Sequence, residues 1–501
     1  MRSSQTLRFI CVTLATACVL ALYTLGSHFN WVEIWDRPLA VLMGISSTLL
    51  LAVSIYLSVQ PTEKLSKTQQ YLYQLGQPEE KQFRSFSAFT LLTIIAAGVG
   101  FAFITFSYHA ILTDDSHSDP AAFLRFAKQT QQDGGPGQLL ADLYSGEYTQ
   151  ANQHPFYIGL LSLSPDLESG KRLSLIATTL TMLMVVVYLI KSHSWQAAAI
   201  TATLLATNHT FGYFSGLATC EAWLTLFVSA AWVALNLALV NRGKKQAYAF
   251  WLVSGACLGM AYMTKGTGLL FFVVLVLTSF TSGLQRRDNT SHLQKLKASL
   301  VATIFAVSGW LLIAHPLLIR NTLVYDSPTF NVNTYFLYMD EFPDDPQIQA
   351  KLAASDTLDQ IRRDFLSRHT TADLLQREIR GVGWESFIFL RSLGPSPIGE
   401  GRVLAGIPIM LLLLLTLIHL ERPMQIFILG TIAASILVFA WYIPIAAGER
   451  FTLPLVPMVM AYAGIGLQNI TTNKPQFSYR WVLVGCLTWT TVWAALATVT
   501  L

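Results

Sequence analysis

The chain has 501 residues, 53% of them hydrophobic and 12% charged, about half the charged share of an ordinary soluble domain. Its formal charge is only +4 and its basic residues are scattered, which argues against a nucleic-acid-binding face. Cys11, Cys18, Cys220, Cys257 and Cys486 lie in or beside apolar runs without CxxC or His-rich spacing, so neither a disulfide framework nor a metal site is expected.

The apolar residues fall in runs of roughly 17 to 25, and a helix needs about 20 residues to cross a hydrocarbon core of about 30 Å. The expectation is an all-α polytopic membrane protein with about thirteen transmembrane helices. They lie near 7–27, 39–59, 86–112, 172–190, 195–214, 219–240, 247–264, 266–282, 298–318, 403–420, 424–446, 451–468 and 480–500. The first run follows Arg2 and Arg8 and reads as an uncleaved helix, since no small-residue cleavage site follows it.

Short loops set orientation, because Lys and Arg are retained in the cytoplasm. Lys64, Lys67, Lys81 and Arg84 fall in one connection, Arg242, Lys244 and Lys245 in a second, and Arg286, Arg287, Lys295 and Lys297 in a third. With this set of spans the three share a side, so that side and the N-terminus are cytoplasmic. The chain then divides into 1–85 (two additional spans and a cytoplasmic loop), 86–318 (a core with a first outer loop, 113–171), 319–402 (a long outer loop) and 403–501 (C-terminal spans).

Both outer segments are too long to be plain connectors. In the first, Ser118, Asp119 and Pro120 start a helix that sets Ala122, Phe123, Phe126 and Ala127 against Arg125, Lys128, Gln129 and Gln132. Such a helix lies along the membrane surface, and Asp133–Gly137 ends it. The second holds the acidic Asp340, Glu341, Asp344 and Asp345, then a helix from about Thr357 to Arg368. The absence of an internal repeat argues against a transporter.

The candidates for chemistry gather at the outer boundary. Asp114, Asp115, His117 and Asp119 follow the third span, where a partly desolvated carboxylate is suited to general-base work. Asp119 is equally suited to capping the helix that Pro120 begins, and Asp114 and Asp115 to a solvated turn. Glu221 opens the sixth span, either as a functional carboxylate or as one reaching the headgroups. Lys265 stands in Thr264-Lys265-Gly266-Thr267-Gly268 at an outer turn, against the charge bias; a lipid phosphate would account for it. Arg320 and Arg450 are either phosphate-binding forks or interfacial anchors. His154-Pro155-Phe156-Tyr157 either shapes a substrate cleft, with His154 and Tyr157 lining it, or turns the chain back into the membrane.

Taken in order, these segments resemble the GT-C glycosyltransferases, in particular the branch of protein O-mannosyltransferases and the lipid A aminoarabinose transferase, over residues 86–470. Asp119-Pro120-Ala121-Ala122-Phe123 resembles the family's Asp-Glu-x-x-Tyr segment, with Pro120 and Phe123 departing from it. His154-Pro155-Phe156-Tyr157 resembles a Lys-Pro-Pro-Leu-type segment, with His154 in place of Lys. Glu221-Ala222-Trp223-Leu224 is similar to the acidic opening of a later span, and Gly259 to Gly268 resembles Gly-Leu-Ala-x-Leu-Thr-Lys-Gly. Arg320 to Pro328 and Arg450 to Pro454 resemble two further segments.

The resemblance implies inverting transfer of a sugar from a polyprenyl-phosphate donor to a hydroxyl of a glycan, lipid or protein, without a metal or other cofactor. Asp119 is then the base, with Glu221, Asp115 and Asp114 as further carboxylates, and Lys265, Arg320 and Arg450 bind the donor phosphate. The setting implied is a bacterial inner membrane, with the site facing outwards. The rivals are a flippase of lipid-linked sugars, which would place its polar residues at the membrane midplane, and an O-antigen ligase or polymerase, which would centre on 319–402.

Overall fold

The computed structural model describes residues 87–113, 119–149, 154–285, 291–342, 358–395, 402–473 and 479–500. The first two expected spans, with Asp114 and Asp115, lie outside these. Helix α1 (Ala88–Ile111) starts at Ser87, whose hydroxyl accepts the Thr90 N–H at 3.1 Å. Three shorter helices follow: α2 (Asp119–Gln132), α3 (Gly135–Ser145) and α4 (Pro155–Leu161). Gly134 and Gly135 take φ of 117° and 77°, a left-handed backbone that glycine tolerates without a Cβ clash. Asp133–Gly137 therefore ends α2 as expected but also launches α3, with Pro136 in its first turn. Capping α2 was one of the two roles open to Asp119; it is the first helical residue, and its carboxylate is engaged by Arg450.

α5 (Leu167–Ser192) is a single apolar helix, whereas the span expected at 195–214 is broken into α6 (Trp195–Thr207) and α7 (His209–Ser215). Asn208 causes the break. Its side-chain oxygen accepts the Phe211 N–H at 2.8 Å, and its amide donates to the carbonyls of Ser392 and Gly394 at 2.8 and 3.2 Å. A short amide that competes for backbone groups caps a helix better than it continues one.

α8 (Glu221–Val240), α9 (Lys245–Thr264), α10 (Gly268–Leu284) and α11 (His292–Tyr325) pack together as the next layer. Between α9 and α11 the seam is set by small residues: a Cβ on Gly255 would run into the Ala306 carbonyl, and one on Gly309 into that of Leu252. α11 begins in a capping box of Ser291 and Gln294 and, at 34 residues, is roughly 50 Å long. Arg320 and Asn321, expected just beyond a span, belong to its last turns.

The segment 319–402 is therefore mostly helical. It continues with α12 (Asn333–Phe336), α13 (Leu358–Arg368) and α14 (Thr371–Ser392). The second half of α14 buries Val382, Phe387, Ile388 and Phe389 against α15 (Arg402–Leu417) and α16 (Arg422–Tyr442). Charges in its first half kept it from reading as part of the core. A 3₁₀ turn (Leu453–Leu455), α17 (Val456–Asn473) and α18 (Tyr479–Thr500) complete the chain.

Among the described residues, seven helices are long and apolar enough to cross a membrane: α1, α5, α8, α9, α11, α16, and the unit Leu453–Thr471 formed by the 3₁₀ turn and α17. α17 is the innermost, packed against α6 and α15. Phe106, Ile95 and Leu312 are more than half exposed on outward faces, where lipid covers them. The protein is an all-α, multi-pass integral membrane protein, as its composition implied.

Candidate active site

Four of the residues singled out in the sequence converge at one end of the bundle. α8 begins at Glu221 and α9 ends at Thr264, with Lys265 as its C-cap, so the two antiparallel helices bring a carboxylate and an ammonium to the same level. Each charge also suits its helix terminus, acid at the N-terminal end and base at the C-terminal end. Lys265 Nζ donates to Glu221 Oε1 at 2.6 Å. Glu221 is 2% exposed and Lys265 22%, so the carboxylate is removed from water and depends on the partly exposed ammonium for its charge.

Arg450 and Asp119 form the second pair. Arg450 Nη1 donates to Asp119 Oδ2 at 2.6 Å across 331 residues of sequence. The two pairs share surroundings. Phe451 lies under both cations, with its ring centroid 5.6 Å from Lys265 Nζ and 4.9 Å from the Arg450 guanidinium carbon. Phe123 of α2 meets Tyr157 of α4 edge-on at 5.0 Å, which seats the surface helix carrying Asp119 on the helix carrying Tyr157. Asp119 remains about half exposed, open to a substrate from the surface.

His154 and Arg320 form the flank of the site. His154 caps α4, is half-buried, and meets Tyr262 edge-on at 5.6 Å. Gly266 makes room for it: a Cβ there would lie 3.2 Å from His154 Nε2. Burial, with Arg320 and Lys265 nearby, pushes the His154 imidazole down to about 3, so it is neutral at ordinary pH. It is therefore a hydrogen-bonding group and not a cation for phosphate. Arg320 is 3% exposed and lies between the rings of Tyr148 and Tyr325, at 5.3 and 5.4 Å, so it is more than an interfacial anchor. The Tyr157 hydroxyl is buried without a hydrogen-bond partner.

The sequence reading gave no role to a third charged group beside these. Glu449 accepts from Thr210 Oγ1 at 2.6 Å and binds Arg402 in a fork, with contacts of 3.0 and 3.1 Å. Arg391 Nε lies 2.7 Å from Glu449 Oε1, the oxygen that Arg402 Nη2 also approaches. Burial pushes its carboxyl up, but Arg402 and Arg391 outweigh that and hold it below the ordinary carboxylate value. Glu449 was visible in the sequence only as the neighbour of Arg450, and Arg391 and Arg402 were not singled out at all.

The family model described as dolichyl-phosphate-mannose-protein mannosyltransferase matches residues 160–311, which include Glu221 and Lys265 and leave Asp119, Arg320 and Arg450 outside. No curated protein matches the chain. Among solved structures, the archaeal oligosaccharyltransferase AglB from Archaeoglobus fulgidus, in complex with an inhibitory peptide and a dolichol-phosphate, superposes with a TM-score of 0.50 at 13% identity over 82% of this chain. The fold is that of a GT-C glycosyltransferase.

This chain spans 56% of that AglB chain, so the shared GT-C architecture is about half of the larger protein. The apo form of the same oligosaccharyltransferase gives a TM-score of 0.47 at 15% identity, covering 81% of this chain and 54% of that one. ArnT from Cupriavidus metallidurans bound to undecaprenyl phosphate gives 0.32 at 14% identity, covering 77% and 78%. Fold and family match together relate the chain to membrane enzymes that transfer lipid-linked sugars.

Proposed function

We propose that the protein transfers a sugar from a polyprenyl-phosphate donor to a hydroxyl acceptor on the non-cytoplasmic side of the membrane, with inversion at the anomeric carbon. The observation that carries this reading is the meeting of Asp119 with Arg450 beside the Glu221–Lys265 pair. It sets a half-exposed carboxylate next to two cations at a membrane boundary, as attack by a hydroxyl on a lipid phosphate ester requires. The dolichol-phosphate in the AglB complex supports a lipid-phosphate ligand for the shared architecture.

In the proposed step the acceptor oxygen forms a bond to the anomeric carbon as the bond from that carbon to the phosphate oxygen breaks. The acceptor proton passes to Asp119, and the phosphate leaves with its electron pair. Lys265, Arg450 and Arg320 stabilise the charge that grows on it, in a boundary setting where fixed cations act more strongly than in water. Arg450 occupies Asp119 Oδ2. A donor phosphate competes for the guanidinium and thereby frees that oxygen for the acceptor hydroxyl. His154 borders the cleft as a neutral group that hydrogen-bonds the sugar, and Tyr157, fully buried, supports the helix behind it. The mechanism uses no metal.

The deciding variant is Asp119→Asn, which preserves shape and cannot take the proton. Turnover in purified protein should fall by about 10²-fold or more, the lower end of general-base catalysis, while thermal stability holds. Transfer at near the parent rate would remove Asp119 from the mechanism. Mass spectrometry of surface glycans from a deletion strain would identify the sugar and acceptor class together, as the loss of a single residue type.

A further inference from the structure

Three consecutive side chains of one turn reach three different places. The turn starts at Gly448, at a φ of 144°, and closes as the Phe451 and Thr452 N–H groups donate to the carbonyls of Gly448 and Glu449 at 3.3 and 3.2 Å. Arg450 reaches Asp119, while Phe451 lies under Lys265 and stacks on Phe439 at 4.1 Å. Glu449 has none of these partners. Its carboxylate is tied to Thr210 of α7, Arg391 in the last turn of α14 and Arg402 at the start of α15.

We infer that Glu449 is a positioning residue for the donor site: it fastens the turn to three helices, so that Arg450 and Phe451 are presented to the phosphate at a fixed place. The inference rests on the phosphate-binding role proposed for Arg450. Phe451, buried against Phe439, fixes one side of the turn, and Glu449 fixes the side next to Gly448; Asp119 must release the guanidinium when the donor arrives, so these two residues are what hold Arg450 in place. A forked guanidinium–carboxylate contact supplies direction as well as attraction, and the carboxylate is only 10% exposed, so it has few alternative partners. Displacement of a substrate-binding group by about 1 Å is enough to cost orders of magnitude in rate.

Arg391 and Arg402 stand on either side of the connection between α14 and α15. The knot on Glu449 therefore also couples α14, in the second half of the segment 319–402, to the site.

The test measures the affinity of the purified full-length protein for undecaprenyl phosphate in detergent, with the melting midpoint recorded in parallel. Glu449→Gln keeps the size and loses the charge that holds the two arginines; its dissociation constant should rise about 10-fold with the protein still folded. Glu449→Asp, which keeps the charge, should recover part of that loss, and Thr210→Val should give a rise of about 3-fold. A merely structural role would lower the melting midpoint and leave the affinity of the folded fraction unchanged. If Glu449→Gln does not fold, Glu449→Asp and Thr210→Val decide by the same criterion. Affinities within 2-fold of the parent in the folded variants, with Arg450→Ala weakened, would overturn this inference alone. An unchanged Arg450→Ala would remove the donor-site reading and this inference with it.

Discussion

Glu221 and Lys265 are the residues whose removal should be felt most at the scale of single side chains. Glu221→Gln leaves the Lys265 ammonium facing a neutral group in a water-poor site, and breaking a buried pair on one side costs about 3–5 kcal/mol. Glu221→Gln with Lys265→Met should lose less than Glu221→Gln alone, because no orphaned charge remains; thermal melting of the parent, the two single variants and the double variant in detergent measures this, and strictly additive losses would deny the coupling. His154 gives a pH signature. Its folded value, about 3, lies below the ordinary 6.5, so the unfolded chain binds the extra proton between those values and stability rises with pH across that window. Acidification from pH 7 to pH 5 should therefore cost the parent about 1 to 2 kcal/mol that His154→Gln does not lose, read as the difference in melting midpoint. Chelation makes a third test at this scale. If Lys265, Arg320 and Arg450 meet the phosphate charge as proposed, dialysis against EDTA should leave turnover unchanged.

At the scale of helices, the arrangement depends on close approach more than on apolar periodicity. Gly255 and Gly309 let the α9 and α11 backbones meet, whereas nothing lies within 4 Å of where a Cβ would stand on Gly98 of α1. Gly255→Val should therefore reduce folded yield and melting temperature sharply, and Gly98→Val should leave both near parental values. Size-exclusion profiles of the two proteins, expressed side by side, make the comparison. This seam joins α9, which ends at Lys265, to α11, which carries Arg320, while the packing of α8 on α9 sets Glu221 against Lys265. The break at Asn208 works in the same direction: it ends α6 early and turns α7 so that Thr210 reaches Glu449.

The whole molecule collects its polar chemistry at one end of an apolar bundle. Arg242, at the opposite end of α8, pairs instead with Glu421 at 2.9 Å. The basic short loops predict that this second end is cytoplasmic. In a cysteine-free background, Gln132→Cys and Ser367→Cys should react with an impermeant maleimide added outside intact cells, and Lys244→Cys only after lysis. Labelling of Gln132→Cys from the cytoplasmic side alone would put the site on the wrong face for the proposed donor.

Apolar run length by itself determined that the chain is a helical membrane protein, because the bilayer admits no other solution for runs of this length. The rank order of polar residues along the sequence was also enough to pick out Asp119, Glu221, Lys265 and Arg450, since each breaks the pattern expected at its position. Which residues pair was decided only by the tertiary structure: Asp119 and Arg450 are 331 positions apart, and no local propensity links them. The same holds for α14, whose charged first half hid a buried second half, and for Glu449, whose three partners come from three separate helices. A carboxylate at a membrane boundary looks alike in sequence whether it anchors, caps or catalyses; the groups folded against it decide among these, and they come from distant parts of the chain.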